Sequence, residues 1–189
     1  MSINRSFLKQ YQKDASRTSA DIGGLELNLS HMVLGMMSEI VEFHEARVKN
    51  DGVNISEELA DIMWYLANYC NFRNFDLETI VNNRLESESI LLVDTQLVCD
   101  ISILSDYVKK FVAYKKPLDE DLEKIAIFNI YRRIEKLFEE YYGDATLLKQ
   151  SLELNIAKLK IRYPDKFKES DALNRDLKKE RNKLEQFKF

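Results

Sequence analysis

Apolar positions recur along this chain at helical spacing almost from end to end, and no stretch alternates cleanly with a period of two. Phe7, Leu8 and Tyr11 share one side of a short amphipathic segment, which predicts a helix over 4–16. A polar loop over 17–28 contains Gly23-Gly24. From Leu27 or Ser30 to about Lys49 the apolar positions are Met32, Val33, Met36, Met37, Ile40, Val41 and Phe43, the pattern of a second helix that Asn50-Asp51-Gly52 stops. Asn54-Ile55-Ser56-Glu57 reads as a capping box, an N-cap side chain with Glu three residues on. A third helix follows to about Asn71 through Leu59, Ile62, Met63, Tyr65, Leu66 and Tyr69. Further helices are predicted over 76–86, 87–116, 118–141 and 145–162, punctuated by Pro117, Gly143 and Tyr163-Pro164. The tail 170–187 is charged yet helix-compatible. The expected fold class is all-α, a helical bundle.

Composition narrows this further. At 189 residues the chain has the size of one domain, 1–189. Apolar residues make up 45% and charged residues 32%, which excludes a disordered composition. Five Gly and two Pro are too few for the turns of a sandwich or barrel. The net charge of −4 argues against a general nucleic-acid or membrane-surface binder. The charge is uneven, because 166–189 carries a net +3. Cys70 and Cys99 lie in apolar runs without CxxC spacing and read as buried thiols of a reducing compartment. The N-terminus shows no apolar signal region, and no apolar run approaches the ~20 residues of a membrane span. A soluble, cytoplasmic protein is expected.

The candidate chemistry lies in two acidic pairs. Glu39 and Glu42 stand at i, i+3 on the second helix, and Glu58 and Asp61 do so on the third. The short connection makes these helices antiparallel neighbours, able to bring both pairs together. A single such pair commonly faces water. Two pairs on consecutive helices, each set in apolar sequence, point instead to one site. Four carboxylates aimed at one space repel by several kcal/mol unless a cation neutralises them, and oxygen-only donors suit a hard cation such as Mg²⁺ or Mn²⁺. His31 and His44 do not lie three residues after a Glu, so the di-iron ExxH pattern is missing and both histidines fall outside the site.

At these residues the sequence resembles the MazG-like all-α nucleoside triphosphate pyrophosphohydrolase superfamily. The runs Leu34-Gly35-Met36-Met37-Ser38-Glu39-Ile40-Val41-Glu42 and Glu57-Glu58-Leu59-Ala60-Asp61-Ile62-Met63-Trp64-Tyr65-Leu66 carry its ExxE and ExxD motifs. Tyr11-Gln12 with Arg17-Thr18 is similar to the N-terminal segment of phage and bacterial members. Asn155-Ile156-Ala157-Lys158-Leu159 and Arg162-Tyr163-Pro164-Asp165-Lys166-Phe167 are similar to their NxxKL and RYPxxF tail, which Asn174-Arg175-Asp176 and Glu180 close. Many members have Glu-Ala-Gly-Glu at the first motif, where Ile40-Val41 stands here.

The resemblance implies hydrolysis of (deoxy)nucleoside triphosphates to monophosphate and pyrophosphate, and control of nucleotide pools. Glu39, Glu42, Glu58 and Asp61 would be the catalytic metal ligands for Mg²⁺, with Mn²⁺ as a substitute. Asn155, Lys158, Arg162, Tyr65, Asn68 and Arg17 would bind substrate. A homodimer or higher homo-oligomer fits the family. The chain then divides into a metal-binding pair (27–71), an insert (72–150), and a phosphate-binding helix with a basic tail (151–189). The insert reads either as a degenerate second copy of the helical pair or as a coincidence of helix lengths. In the first case Asp106-Tyr107-Val108-Lys109 takes the ExxE place, and Asn129 stands 23 residues past Asp106, against 22 between Glu39 and Asp61. Dimeric dUTPases of the superfamily place two such pairs in one chain. A dUTPase-type hydrolase and a non-catalytic nucleotide- or partner-binding module are the alternative functions.

Overall fold

Side chains that cap helices set where the elements begin. The structure is a computed structural model that describes residues 5–83 and 92–189, and every regular element among them is a helix. They are α1 (Arg5–Ser16), α2 (Gly24–Val48), α3 (Gly52–Arg73), α4 (Leu77–Asn82), α5 (Val93–Tyr114), α6 (Glu120–Tyr142), α7 (Leu147–Arg162), α8 (Glu169–Leu173) and α9 (Leu177–Leu184). The all-α expectation holds.

Several boundaries differ from the sequence reading, three of them for a clear local reason. α2 starts at Gly24, inside the expected loop. Asp21 accepts from Gly23 N and Asn28 Nδ2, while Asn28 Oδ1 accepts from Ile22 N, so the entry turn is closed by side chains. Gly23 takes φ 115, which a residue with a Cβ rarely adopts. α3 is capped by Asp51, whose carboxylate accepts from Asn54 N at 3.1 Å; Asn54 therefore lies in the first turn rather than at the cap. The tail splits into α8 and α9, because Asp176 starts a new helix by accepting from Lys179 N. Residues 84–91, where the helices expected over 76–86 and 87–116 meet, lie outside the described part of the chain.

α2 and α3 pack along their lengths as an antiparallel hairpin, and α5 and α6 form a second hairpin whose α5 lies on α2. α1 and α7 cover α3, α4 touches α1 and α6, and α9 lies on α7. Met32, Met36, Phe43, Leu59, Ile62, Met63 and Leu66 fill the shared core with Leu97, Ile101, Ile134 and Phe138. Val41, read as lining the first acidic pair, points outward, and with Leu27, Leu34 and Val48 it forms an exposed stripe at seven-residue spacing on α2. Cys70 is buried as expected. Cys99 is exposed on α5, contrary to its apolar surroundings in sequence, because its neighbours Leu97 and Ile101 take the inward face.

No helix among the described residues is long and apolar enough to cross a membrane. Asp106 is held by Lys109 and Lys110 on its own helix, and Asn129 instead meets Asp100 at 3.4 Å, which Arg133 also binds. Asp106 and Asn129 thus have separate partners on the α5–α6 hairpin.

A buried polar triad ties α3 to α6. Tyr69 Oη donates to Glu123 Oε1 at 2.5 Å, and Arg73 Nε and Nη2 donate to the two oxygens at 2.9 and 2.8 Å. Glu123 is fully buried. Glu123→Ala removes the acceptor of a tyrosine and the counter-charge of a half-buried arginine, and is expected to cost about 3–5 kcal/mol in urea denaturation. A loss below about 1 kcal/mol contradicts this role.

Candidate functional site

Three helices supply one cluster. Glu39 comes from α2, and Glu58 and Asp61 come from successive turns of α3; one carboxylate oxygen of each lies within 4.8 Å of the others. Glu58 is buried, while Glu39 and Asp61 are half-buried. From α7, Lys158 Nζ stands 2.6 Å from Asp61 Oδ2 and 3.1 Å from Glu57 Oε1. Asn155, one turn earlier, donates through Nδ2 to Asp61 Oδ1 at 2.5 Å. Both α7 side chains are buried. From α1, Tyr11 Oη reaches the Ala60 carbonyl at 3.4 Å, behind Asp61.

Crowding of acids in a partly dry space sets the electrostatics. Burial, then the charges of Asp61 and Glu42, push the Glu39 carboxyl up to about 7. Burial, then Asp61, Glu57 and Glu39, push Glu58 up to about 10, against the pull of Lys158. Glu39 and Glu58 approach closely enough to share a hydrogen bond, which needs a proton on one of them. Lys158 is buried, which alone would lower it, but Asp61 and Glu57 outweigh that and keep it charged.

One ammonium thus faces more than one carboxylate, and the balance favours a further cation. The donor set fits a hard divalent ion: three carboxylate oxygens converge, and Asn155 Oδ1 beside them is buried without a hydrogen-bond partner.

The other residues singled out in the sequence fall in several places. Glu42 lies one turn beyond Glu39 but is exposed and outside the converging group, and it acts on Glu39 through its charge. Tyr65 is half-buried beside the cluster, its hydroxyl pushed up to about 12 by burial and the charges of Glu39 and Asp61. Its ring lies over Gly35 and makes edge contacts with His31 and Trp64. Trp64 is half-buried and donates to Thr18 Oγ1 at 3.0 Å.

Asn68 does not face the cluster. It is fully buried, donates to the Trp64 carbonyl, and accepts from Asn71 in a network with Gln12. Arg17 does not reach over the cluster in this structure; its Nη1 grips the carbonyls of Tyr163, Pro164 and Asp165. Lys158 and Arg162 do not form an open cationic face. Lys158 is inside the acidic cluster, and Arg162 is held by Glu180.

Glu57, Tyr11, Gly35 and Glu180 border the site without having been read as part of it. Glu57 carried a detectable signal, an acid adjoining the ExxD run. The other three stand in the motif runs quoted above, but what each touches emerged only from packing.

Fold and cluster together define an all-helical protein with an acidic, oxygen-only donor set on a helical hairpin. Residues 28–86 match the family model of the MazG nucleotide pyrophosphohydrolase domain, so the hairpin that holds Glu39, Glu58 and Asp61 is MazG-like. No curated protein and no solved structure matches the chain.

Two outcomes test this geometry. A Cβ on Gly35 would stand 2.2 Å from Tyr65 Cε1. Gly35→Ala is therefore expected to destabilise by about 1–3 kcal/mol, and combining it with Tyr65→Ala should cost less than the two losses added.

The second outcome concerns pH. Glu39 and Glu58 titrate above the ordinary 4.5, so the fold favours their protonated forms, and that preference is lost as pH rises from about 4.5 toward 7 and 10. Cation-free protein should lose stability across that window. Mg²⁺, which needs ionised carboxylates, should raise Tm more at pH 8 than at pH 5. Equal shifts at both pH values contradict the assignment.

Proposed function

We propose that this chain is a divalent-cation-dependent hydrolase that cleaves (deoxy)nucleoside triphosphates to monophosphate and pyrophosphate, and so controls nucleotide pools. The observation that carries the reading is the convergence of Glu39, Glu58 and Asp61 on the segment that matches the MazG domain, with Lys158 and Asn155 of α7 seated on Asp61. Residues 27–71 and 151–189 then act as one unit within a single 1–189 domain, since α7 packs on α3.

Glu39, Glu58 and Asp61 would hold the ion, Mg²⁺ or in substitution Mn²⁺, and Glu42 would add its charge from one turn along α2. When bound, the ion neutralises phosphate charge and acidifies water. Lys158 fixes the orientation of Asp61 by a charge-assisted hydrogen bond, and Asn155 holds the other Asp61 oxygen. Arg162 meets phosphate oxygens, and Tyr65 lines the pocket for the rest of the nucleotide. Asn68 and Arg17 act indirectly, Asn68 by supporting Trp64 and Arg17 by holding the turn after α7.

In the reaction a water oxygen bonds to the α-phosphorus, the bond to the bridging oxygen breaks, and pyrophosphate leaves. The proton of the water passes to a carboxylate of the cluster.

A second reading, a dUTPase-type enzyme restricted to deoxyuridine nucleotides, draws support from the α5–α6 hairpin packed on the α2–α3 hairpin. A homo-oligomer remains part of the proposal, with the exposed α2 stripe as the face open to a second copy.

The test is to incubate the chain with each NTP and dNTP plus Mg²⁺ and identify the products. Monophosphate with pyrophosphate is expected, and Glu58→Gln or Asp61→Asn should lower the rate about 100-fold or more while the protein stays folded. Turnover confined to deoxyuridine nucleotides selects the second reading. Diphosphate with orthophosphate, no turnover, or variants as fast as the parent overturns the proposal; no turnover leaves a non-catalytic binding module.

A further inference from the structure

Arg162 ends α7 one turn beyond Lys158, and its side chain is largely buried. Glu180 of α9 meets the guanidinium along one edge: Nε donates to Oε1 at 3.1 Å and Nη2 donates to Oε2 at 2.6 Å. Arg175 Nη2 donates to the same Oε2 at 2.8 Å. The Glu180 side chain is only 4% exposed, which makes this an interior contact rather than a solvated surface pair. Burial works against its charge, but Arg162 and Arg175 outweigh it and hold the carboxyl below the ordinary range.

A guanidinium offers five N–H bonds in one plane, and edge-on pairing uses one on Nε and one on Nη2. Three remain, including both on Nη1, and their directions are fixed once the plane is fixed. Arg162 follows Lys158 by one turn of α7, and Lys158 Nζ is seated on Asp61, so the guanidinium lies beside the cluster, where its charge is felt by Tyr65 and Lys158.

The segment carrying Glu180 is itself anchored. Arg181 binds Asn54 and Asp51 at the start of α3, and the Phe187 ring packs against Phe138 and Tyr142. Glu180 is therefore held on an element tied to the hairpin that bears the cluster.

We propose that Glu180 is a positioning residue of the phosphate site: it presets Arg162 so that the remaining N–H bonds meet the triphosphate chain. The proposal rests on reading the cluster as a nucleotide-hydrolase site, and it makes the C-terminal tail a working part of that site. Its consequence is a coupling. Glu180 matters to phosphate binding only through Arg162.

The experiment is a double-mutant cycle on the full chain, with inorganic tripolyphosphate titrated calorimetrically in the presence of Mg²⁺. Arg162→Ala is expected to weaken binding about tenfold or more. Glu180→Gln, which keeps size and loses charge, and Glu180→Ala should each weaken it toward the same level. Neither should weaken it further when added to Arg162→Ala. Thermal melts of all variants separate this from unfolding, because a merely structural Glu180 lowers Tm equally in both backgrounds and leaves the cycle additive. Additive losses, unchanged affinity in Glu180→Gln, tighter binding (the sign of a carboxylate that sequesters Arg162), or no tripolyphosphate binding by the parent chain overturns the proposal. Parallel hydrolysis assays keep the two readings apart. Coupled tripolyphosphate binding without nucleotide turnover sinks the hydrolase reading alone, and turnover without coupling sinks the role of Glu180 alone.

Discussion

A buried ammonium on α7, clasped between Asp61 and Glu57 of α3, is the constraint on which the site depends. Charge out of water is tolerated only when it is paired and hydrogen-bonded. Lys158 therefore fixes both the rotation of α7 and its register along α3. One turn back, that register puts Asn155 on the other oxygen of Asp61; one turn on, it delivers Arg162 to Glu180. A hairpin that matches a known domain over 28–86 thus receives its third wall from a helix far along the chain.

Charge balance separates this cluster from the other buried acids. Glu123 is matched by Arg73 with Tyr69 donating, and Asp100 is matched by Arg133. Those groups are closed, and they hold α3 to α6 and α5 to α6. Around Asp61 the sum differs, since Glu39, Glu57, Glu58 and Asp61 face one lysine, and at Glu39 and Glu58 the charges of neighbouring acids add to burial in opposing ionisation. The surplus negative charge is what gives a divalent cation a reason to bind there.

The helices were legible in the sequence because 3.6-residue periodicity survives any tertiary arrangement. Their ends were less so: Asp51 and Asn54 are both good caps, and only the folded turn shows that Asp51 accepts the hydrogen bond. The acidic cluster was legible in type and largely in membership. Spacing makes Glu39 and Glu42 neighbours on α2, but packing alone decides that the first converges with Glu58 and Asp61 while the second stays exposed. The cations were the hardest to place. Lys158 and Arg162 look like an open phosphate-binding face until their partners are known, and those partners, Glu57 and Glu180, lie in other helices. Asn68 was hard to place for the same reason. Its polar group is satisfied by Trp64 and Asn71, a destination that composition and spacing do not encode.

If Glu39, Glu58 and Asp61 form a divalent-cation site, they should bind the ion without help from nucleotide. The decisive measurement is a titration of Mn²⁺ into nucleotide-free protein, with the free ion followed by electron paramagnetic resonance. Saturable loss of the free-ion signal is expected, weakened strongly by Asp61→Asn or Glu58→Gln in variants that remain folded. Mn²⁺ binding of undiminished strength in both variants, or none in the parent chain, would contradict it.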